Sequence, residues 1–346
     1  MTYWTEYAIY PAQMKILAID TSCDESCAAI VDTQTWRLLS DVVHSHVEDM
    51  RPYGGVVPEI ASRGHLVGLP LAVHEALRQA SLPLSAVDWF TVTNRPGLIG
   101  ALLVGVTYAK GLAFSTGRPY SVMNHIEGHL YSPGLKGFEG ETEMPPFPWI
   151  ALVVSGGHTE LYFVKDFLDH RWLGGTLDDA AGEAFDKVGK LLGLSYPAGP
   201  QIDRWVREKA TAADRKRFEF PRAVGALDQF SYSGLKTAVS IQIQKLKTTT
   251  EADRLALAAS AQEAILDALV TQARRSRDHH GAKSIIVTGG VACNSRLRER
   301  MPEAYFPSPR HCTDNAAMIA LLSALYEKKG RLVPADWTLT AVPHLD

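Results

Sequence analysis

The chain has few cysteines, four in 346 residues. Cys23, Cys27, Cys293 and Cys312 show neither C-x-x-C spacing nor the density of a secreted disulfide scaffold, so a reducing, cytoplasmic setting is expected. Long apolar runs are also missing. The longest, Ile99 to Phe114, is interrupted by glycines and Lys110 and falls short of the roughly 18 residues a membrane span needs. It reads as a buried helix, and no membrane partner is expected. Neither sign of charge dominates: 35 Lys and Arg stand against 38 Asp and Glu, a net charge of −3. A polyanion would therefore have to be met by a local patch. Arg204 to Arg222, with seven basic residues against three acidic ones, is the candidate. Residues 1 to 14 contain no arginine and no apolar core of a signal peptide; they read as an N-terminal extension, with Met14 a candidate start.

What is present is a chain 46% hydrophobic and 21% charged, long enough for two lobes that each bury a core. The most specific stretch is Asn124-His125-Ile126-Glu127-Gly128-His129. On a helix, His125 and His129 at i and i+4 project from one face a little over one turn apart, which suits a shared metal ion. Alone, such a pair also fits two ordinary polar residues on a half-exposed helix. A third candidate ligand, Asp314 in His311-Cys312-Thr313-Asp314-Asn315, completes a two-imidazole, one-carboxylate set that suits iron(II) or zinc with open positions. Glu127 stands two residues from each histidine, about 200° round the helix from the first. It does not adjoin a ligand as the base of a zinc protease does.

The order of elements suggests a duplication. Lys15 to Asp20 reads as a buried strand, followed by the turn Thr21-Ser22-Cys23-Asp24-Glu25-Ser26 and a second strand, Cys27 to Val31. The amides of such a turn can face a phosphate or another oxyanion. Pro58 opens a helix, Val87 to Thr93 and Tyr120 to Met123 are strands, and residues 133 to 148, rich in Pro, Gly and Glu, form a linker. The opening pattern then recurs: strand Trp149 to Val154, turn Ser155-Gly156-Gly157-His158, strand Thr159 to Val164. An N-capped helix from Asp178 to Leu192, a tight turn at 196–200, one long helical region from Lys236 to His279 and a strand Ser284 to Thr288 follow. Gly289-Gly290 lets backbone approach a ligand, with Asn294 and Asp203 available to bond a base and a ribose. The expectation is an α/β, actin-like or sugar-kinase-like fold of two duplicated lobes about a central cleft: an extension 1–14, a first lobe 15–132, a linker 133–148, and a second lobe 149–346 whose C-terminal segment packs back on the first.

These blocks, with Gly54-Gly55-Val56-Val57-Pro58-Glu59, Val154 to Thr159, Asp178 to Lys187 and Ser233-Gly234-Leu235-Lys236-Thr237, resemble the tRNA N6-adenosine threonylcarbamoyltransferases from about Lys15 to Ala324. The resemblance implies one divalent metal ion, iron(II) before zinc, on His125, His129 and Asp314. It implies a substrate site at Val153, Val154, Ser155, Gly156, Gly157, Asp186, Gly199, Asp203 and Asn294. The implied reaction moves a threonylcarbamoyl group from threonylcarbamoyl-AMP to N6 of adenosine 37 in tRNAs reading codons that begin with A. Implied partners are tRNA, a catalytically silent paralogue of the TsaB type and a small ATPase of the TsaE type. Asn94-Arg95 stand where small residues are common in the family, and Ala198 replaces a usual glycine.

No residue is singled out as general base; Asp24 and Glu25 are candidates beside their role in capping the first turn. Two other classes remain open. A metal-dependent ATPase of the same fold would turn over ATP without tRNA, and a metalloprotease would need a base that Glu127 does not supply.

Overall fold

The computed structural model describes residues 14–135, 144–222, 225–246 and 248–344. Positions 1–13 of the expected extension and 136–143 of the expected linker lie outside the described residues.

Alternation along the strands builds two sheets with a core on each face. In β1 (Lys15–Asp20) and β2 (Glu25–Asp32), which pair antiparallel, Ile16, Ala18, Ala29 and Val31 turn to one face. Leu17, Ile19, Ala28 and Ile30 turn to the other. β3 (Arg37–Ser45) continues the antiparallel edge, while β4 (Trp89–Arg95) and β5 (Tyr120–Asn124) add in parallel, giving the order β3-β2-β1-β4-β5. After the short α1 (Val47–Met50) come α2 (Pro58–Gln79), α3 (Ile99–Thr116) and α4 (His125–Tyr131). The second sheet repeats the pattern with β6 (Trp149–Val154), β7 (Thr159–Asp166), β8 (Asp169–Gly175) and β9 (Ser284–Thr288) in the order β8-β7-β6-β9. Tyr305 bridges in parallel to Ile286 of β9, where the first sheet carries its fifth strand. The helices of this half are α5 (Ala181–Leu191), α6 (Gly199–Lys209), α7 (Ser233–Lys245), α8 (Glu251–His280), α9 (Ser295–Arg300) and α10 (Ala316–Lys328).

Three apolar clusters separate the layers. Residues of α2 and α3 pack on the outer face of the first sheet, and those of α5, α6, α7 and α8 pack on the outer face of the second. α4 and α10 lie between the inner faces of both sheets, in one cluster with Ala18, Ala29, Ala151, Val153 and Ile286. The two central helices therefore run from the place where the strands of both sheets end. The segment after α10 returns to the first sheet: Ala335 N donates to Tyr120 O at 2.7 Å and Val342 N to Asn94 O at 2.8 Å.

Several expectations need correction. α3 is 18 residues long and, by length and composition, able to cross a membrane, although it packs on α2 and β4 through Ala101, Leu102, Gly105, Val106, Ala109 and Ala113. β3 and β8 carried no signal because both are half-exposed edge strands without an apolar run. The long helical region expected from Lys236 to His279 divides into two helices, because Thr250 caps α8 reciprocally with Asp253. Asp178 does not cap α5, which starts after Ala180. Its carboxylate instead accepts from Tyr232 N at 2.6 Å and Ser233 N at 3.1 Å, tying the entry of α7 to that of α5.

Candidate functional site

The ends of β1, β5 and β9 and the starts of α4 and α10 converge. Asn124 caps α4 by accepting from Ile126 N at 2.8 Å and Glu127 N at 3.2 Å, and Asn315 caps α10 by accepting from Met318 N at 2.9 Å. Capping fixes the start of each helix: His125 opens α4 with His129 one turn on, and Asp314 stands one residue before the cap of α10. One donor atom from each lies within 4.8 Å of the others. Both imidazole Nε2 atoms stand 3.3 Å from Asp314 Oδ1. All seven residues of α4 are buried, so the reading of the histidines as half-exposed polar residues does not hold. Glu127 turns away, accepting from Tyr326 Oη at 3.1 Å.

The far side of each ring is held as well. His125 Nδ1 is 2.9 Å from Asp20 Oδ2 and 3.0 Å from Ser22 Oγ; His129 Nδ1 is 3.2 Å from Thr288 Oγ1, which also meets Ser132 Oγ at 2.9 Å. A carboxylate only accepts, so His125 carries a proton on Nδ1 and, when neutral, presents a bare Nε2. Burial opposes charge on every member. It holds His129 below its usual range, but the carboxylates of Asp20 and Asp314 overcome it at His125, whose imidazole lies well above its usual range. Burial also opposes ionisation of Asp314, and the two imidazoles reverse that, holding its carboxyl well below the usual range. Two oriented imidazoles and an ionised carboxylate, already polarised toward positive charge, fit a divalent ion that accepts nitrogen and oxygen donors.

Beside this cluster opens a cleft of about 1520 Å³ between the two sheets' turns. Asp24, Glu25, His125, Ser155, Gly156, Gly157, Asp186, Gly199, Asp203, Asn294 and Asp314 line it. Val153 and Val154 do not: both are fully buried in β6, their side chains in the inner and outer cores. Asp186, Asp203 and Asn294 already hold protein partners. Asp186 accepts from Ala198 N at 2.7 Å, Asp203 from Ser295 N at 3.1 Å and Ser295 Oγ at 2.7 Å, and Asn294 caps α9 through Leu297 N at 3.0 Å. They shape the cleft wall whatever else they bind. Ala198, the departure from glycine, packs against Gly189, where a Cβ would stand 2.1 Å from its own.

Glycine is required where the turns approach each other. Gly289, at φ +91°, would place a Cβ 2.3 Å from Val154 O, and Gly97, at φ +157°, one 2.4 Å from Ser22 O. Burial, then Asp24 and Asp314, push the Glu25 carboxyl well above its usual range. Burial and nearby His125 bring His158 down to about 4, so it is neutral in the cleft. His158, Asp20 and Thr288 were not anticipated, although each sits at the end of a strand or in the turn beyond it. Of the basic stretch expected at 204–222, only Arg204 and Arg207 reach the cleft. Arg215, Arg217 and Arg222 pair with Glu263, Asp253 and Asp267.

Two sheets of matching topology, central helices between them and a cleft at their turns define a protein of the actin and sugar-kinase class. Solved structures agree on the fold. Component A of (R)-2-hydroxyglutaryl-CoA dehydratase from Acidaminococcus fermentans matches with TM-score 0.55 at 13% identity, over 91% of this chain and 98% of that one. Full-length HypF matches with TM-score 0.58 at 12% identity, over 91% and 55%. Within that class the sequence is specific. The model of TsaD, tRNA N6-adenosine threonylcarbamoyltransferase, matches residues 37–321. Proteins of that name from Kosmotoga olearia and Anaeromyxobacter dehalogenans are 44% and 49% identical, over 96% and 89% of this chain and 98% and 92% of their own. The chain belongs to the tRNA N6-adenosine threonylcarbamoyltransferase family, and its activity is transfer of the threonylcarbamoyl group to tRNA.

Proposed function

We propose that the cleft holds threonylcarbamoyl-AMP with its acyl end toward His125, His129 and Asp314, and passes the group to N6 of adenosine 37 in tRNAs reading codons that begin with A, releasing AMP. The observation that carries this reading is the convergence of three donor atoms, two on buried imidazoles and one on a half-buried carboxylate, at the inner end of a cleft large enough for a nucleotide. An exocyclic adenine amine is a weak nucleophile because its lone pair is delocalised into the ring, so activation falls on the electrophile. His125, His129 and Asp314 would hold a divalent ion, iron(II) in preference to zinc, which when bound would supply positive charge against the charge developing on the threonylcarbamoyl oxygens. Asp20 and Thr288 hold the two imidazoles in the tautomer and orientation such a role needs. Ser155, Gly156 and Gly157 present backbone to the AMP half, as do Gly199 and the turn residues Cys23 and Asp24. Asp186, Asp203 and Asn294 set the wall against which its base and ribose rest. The proton lost by N6 passes to the Asp24–Glu25 pair, both of which face the cleft.

The tRNA is a polyanion and the chain's net charge is −3, so its grip must be local. Lys190, Arg204 and Lys236 line the cleft on the side of the second sheet. None has an ion-pair partner among the described residues, and they would meet backbone phosphates at the cleft mouth. The partner expected from the family, a TsaB-type paralogue, has a surface available. Leu66, Val67 and Leu71 of α2 and Ile99, Leu103 and Phe114 of α3 are exposed around an apolar groove. A TsaE-type ATPase belongs to the same assembly in this reading. The four cysteines are all free, which suits the cytoplasm.

The test is transfer with ligand variants. His125→Ala and His129→Ala should each abolish transfer and metal binding while the fold persists by circular dichroism. Retained transfer by either metal-free variant would remove the ion from the mechanism, and ATP turnover without tRNA would favour the kinase-like alternative.

A further inference from the structure

The turn after β1 is held from behind at three successive carbonyls. Ser22 O accepts from Leu98 N at 2.9 Å, Cys23 O lies 3.0 Å from His65 Nε2, and Asp24 O accepts from His46 N at 2.9 Å. The Cys23 and Asp24 N–H groups have no acceptor among the described residues, and both residues line the cleft. Carbonyls bound on one side and amides unbound on the other make a concave donor surface for an anion.

Two of the three anchors are backbone amides that any side chain would leave in place. The third is a side chain. His65, on α2, is fully buried. A carbonyl only accepts, so the bond to Cys23 O requires the proton on Nε2. Burial keeps the ring neutral by holding it below its usual range, and Nδ1 must then be bare. Ser26 Oγ, 2.7 Å away and also fully buried, donates to it. Ser26 Oγ in turn accepts from His46 Nε2 at 2.9 Å. The chain of bonds runs in one direction, from His46 through Ser26 to His65 and out to the Cys23 carbonyl. Gly64 and Gly68 allow the packing, since a Cβ at either would stand within 2.9 Å of the His46 ring.

We infer that His65, set in its tautomer by Ser26, is a positioning residue for the reaction: it fixes the Cys23 carbonyl so that the Cys23 and Asp24 amides face the anionic half of the substrate. His65 touches neither substrate nor metal ligand and acts through the turn. The inference rests on the reading of the cleft as a site for an acyl adenylate.

The experiment measures AMP binding by calorimetry and transfer kinetics on the full chain, with wild type, His65→Leu, His65→Gln and Ser26→Ala. Gln places an N–H near the position of Nε2 and can still reach the Cys23 carbonyl; Leu cannot. His65→Leu should weaken AMP binding and raise KM for the acyl adenylate at least tenfold, leaving KM for tRNA within twofold. His65→Gln should recover most of that loss, and Ser26→Ala should show a smaller change of the same sign. Should His65→Leu fold poorly, Ser26→Ala against wild type carries the comparison. Equal AMP affinity in wild type, His65→Leu and Ser26→Ala, or equal damage by Leu and Gln, would overturn the inference and leave the cleft reading standing. Failure of wild type itself to bind AMP would overturn both.

Discussion

Replacing Asp20 by Asn tests how the proposed metal site is held, and the structure fixes what the substitution does. Asp20 is fully buried, and its two oxygens have separate tasks: Oδ1 accepts from Ser22 N at 3.0 Å and Oδ2 faces His125 Nδ1 at 2.9 Å. An amide of the same shape has one oxygen and one nitrogen. If the oxygen stays with Ser22, the new NH₂ donates to His125 Nδ1 and drives that ring's proton onto Nε2, the atom needed for the metal. If the amide flips, its NH₂ confronts the Ser22 N–H and leaves that buried donor unpaired, at about 1–3 kcal/mol. Either way, affinity for a divalent ion should fall by about 10–100-fold, or about 1.4–2.7 kcal/mol. The pH dependence adds a second signature. Asp20 raises the His125 pKa, so wild type must displace a proton to bind metal over a wider pH range than the variant does. The deficit should be smaller at pH 6 than at pH 8. Chelator-competition titration of zinc into the apo protein reads both. Affinities equal within twofold at pH 8 would refute the argument that Asp20 sets the tautomer of His125.

Other consequences follow from burial and close approach. His158 at about 4 in the folded protein stays neutral where the unfolded chain, near 6.5, takes up a proton. Stability is therefore lost as pH falls from 6.5 toward 4. Between pH 7 and pH 5 this amounts to about 2 kcal/mol, and His158→Asn should lack that part of the decline in urea unfolding. Gly289→Ala puts a Cβ 2.3 Å from Val154 O at a positive φ. It should cost about 2 kcal/mol or more in denaturant unfolding, and a neutral result would mean that the ends of β6 and β9 can separate.

The fold was legible where burial is two-sided. β1, β6 and β9 are continuous apolar runs because both faces of each sheet are covered, and the repetition of strand, turn, strand exposed the duplication. β3 and β8 were invisible because an edge strand carries no such run. The split between α7 and α8 turned on a single cap, Thr250 with Asp253, inside a stretch that is otherwise helical in pattern. At the site, the i, i+4 spacing of His125 and His129 and the Asp314 block drew attention to residues that the structure brings together, although their partners are over 180 positions apart. The roles of Asp186, Asp203 and Asn294 were less legible, because a polar residue that caps a helix or pins a turn looks the same in sequence as one that awaits a ligand. Asp20 and Thr288 were missed for a related reason: each closes an apolar strand, and only the fold shows that His125 or His129 lies behind it.

The most direct test of the central claim is transfer of labelled threonylcarbamoyl from its adenylate to unmodified tRNA, with the metal-loaded protein and His125→Ala side by side, each with and without a TsaB-type paralogue and a TsaE-type ATPase. Label is expected on adenosine 37 with the intact chain and none with the variant. Label transferred equally by both would contradict the role given to the His125, His129 and Asp314 centre, and no transfer by the intact, metal-loaded chain with its partners would contradict the reading of the cleft.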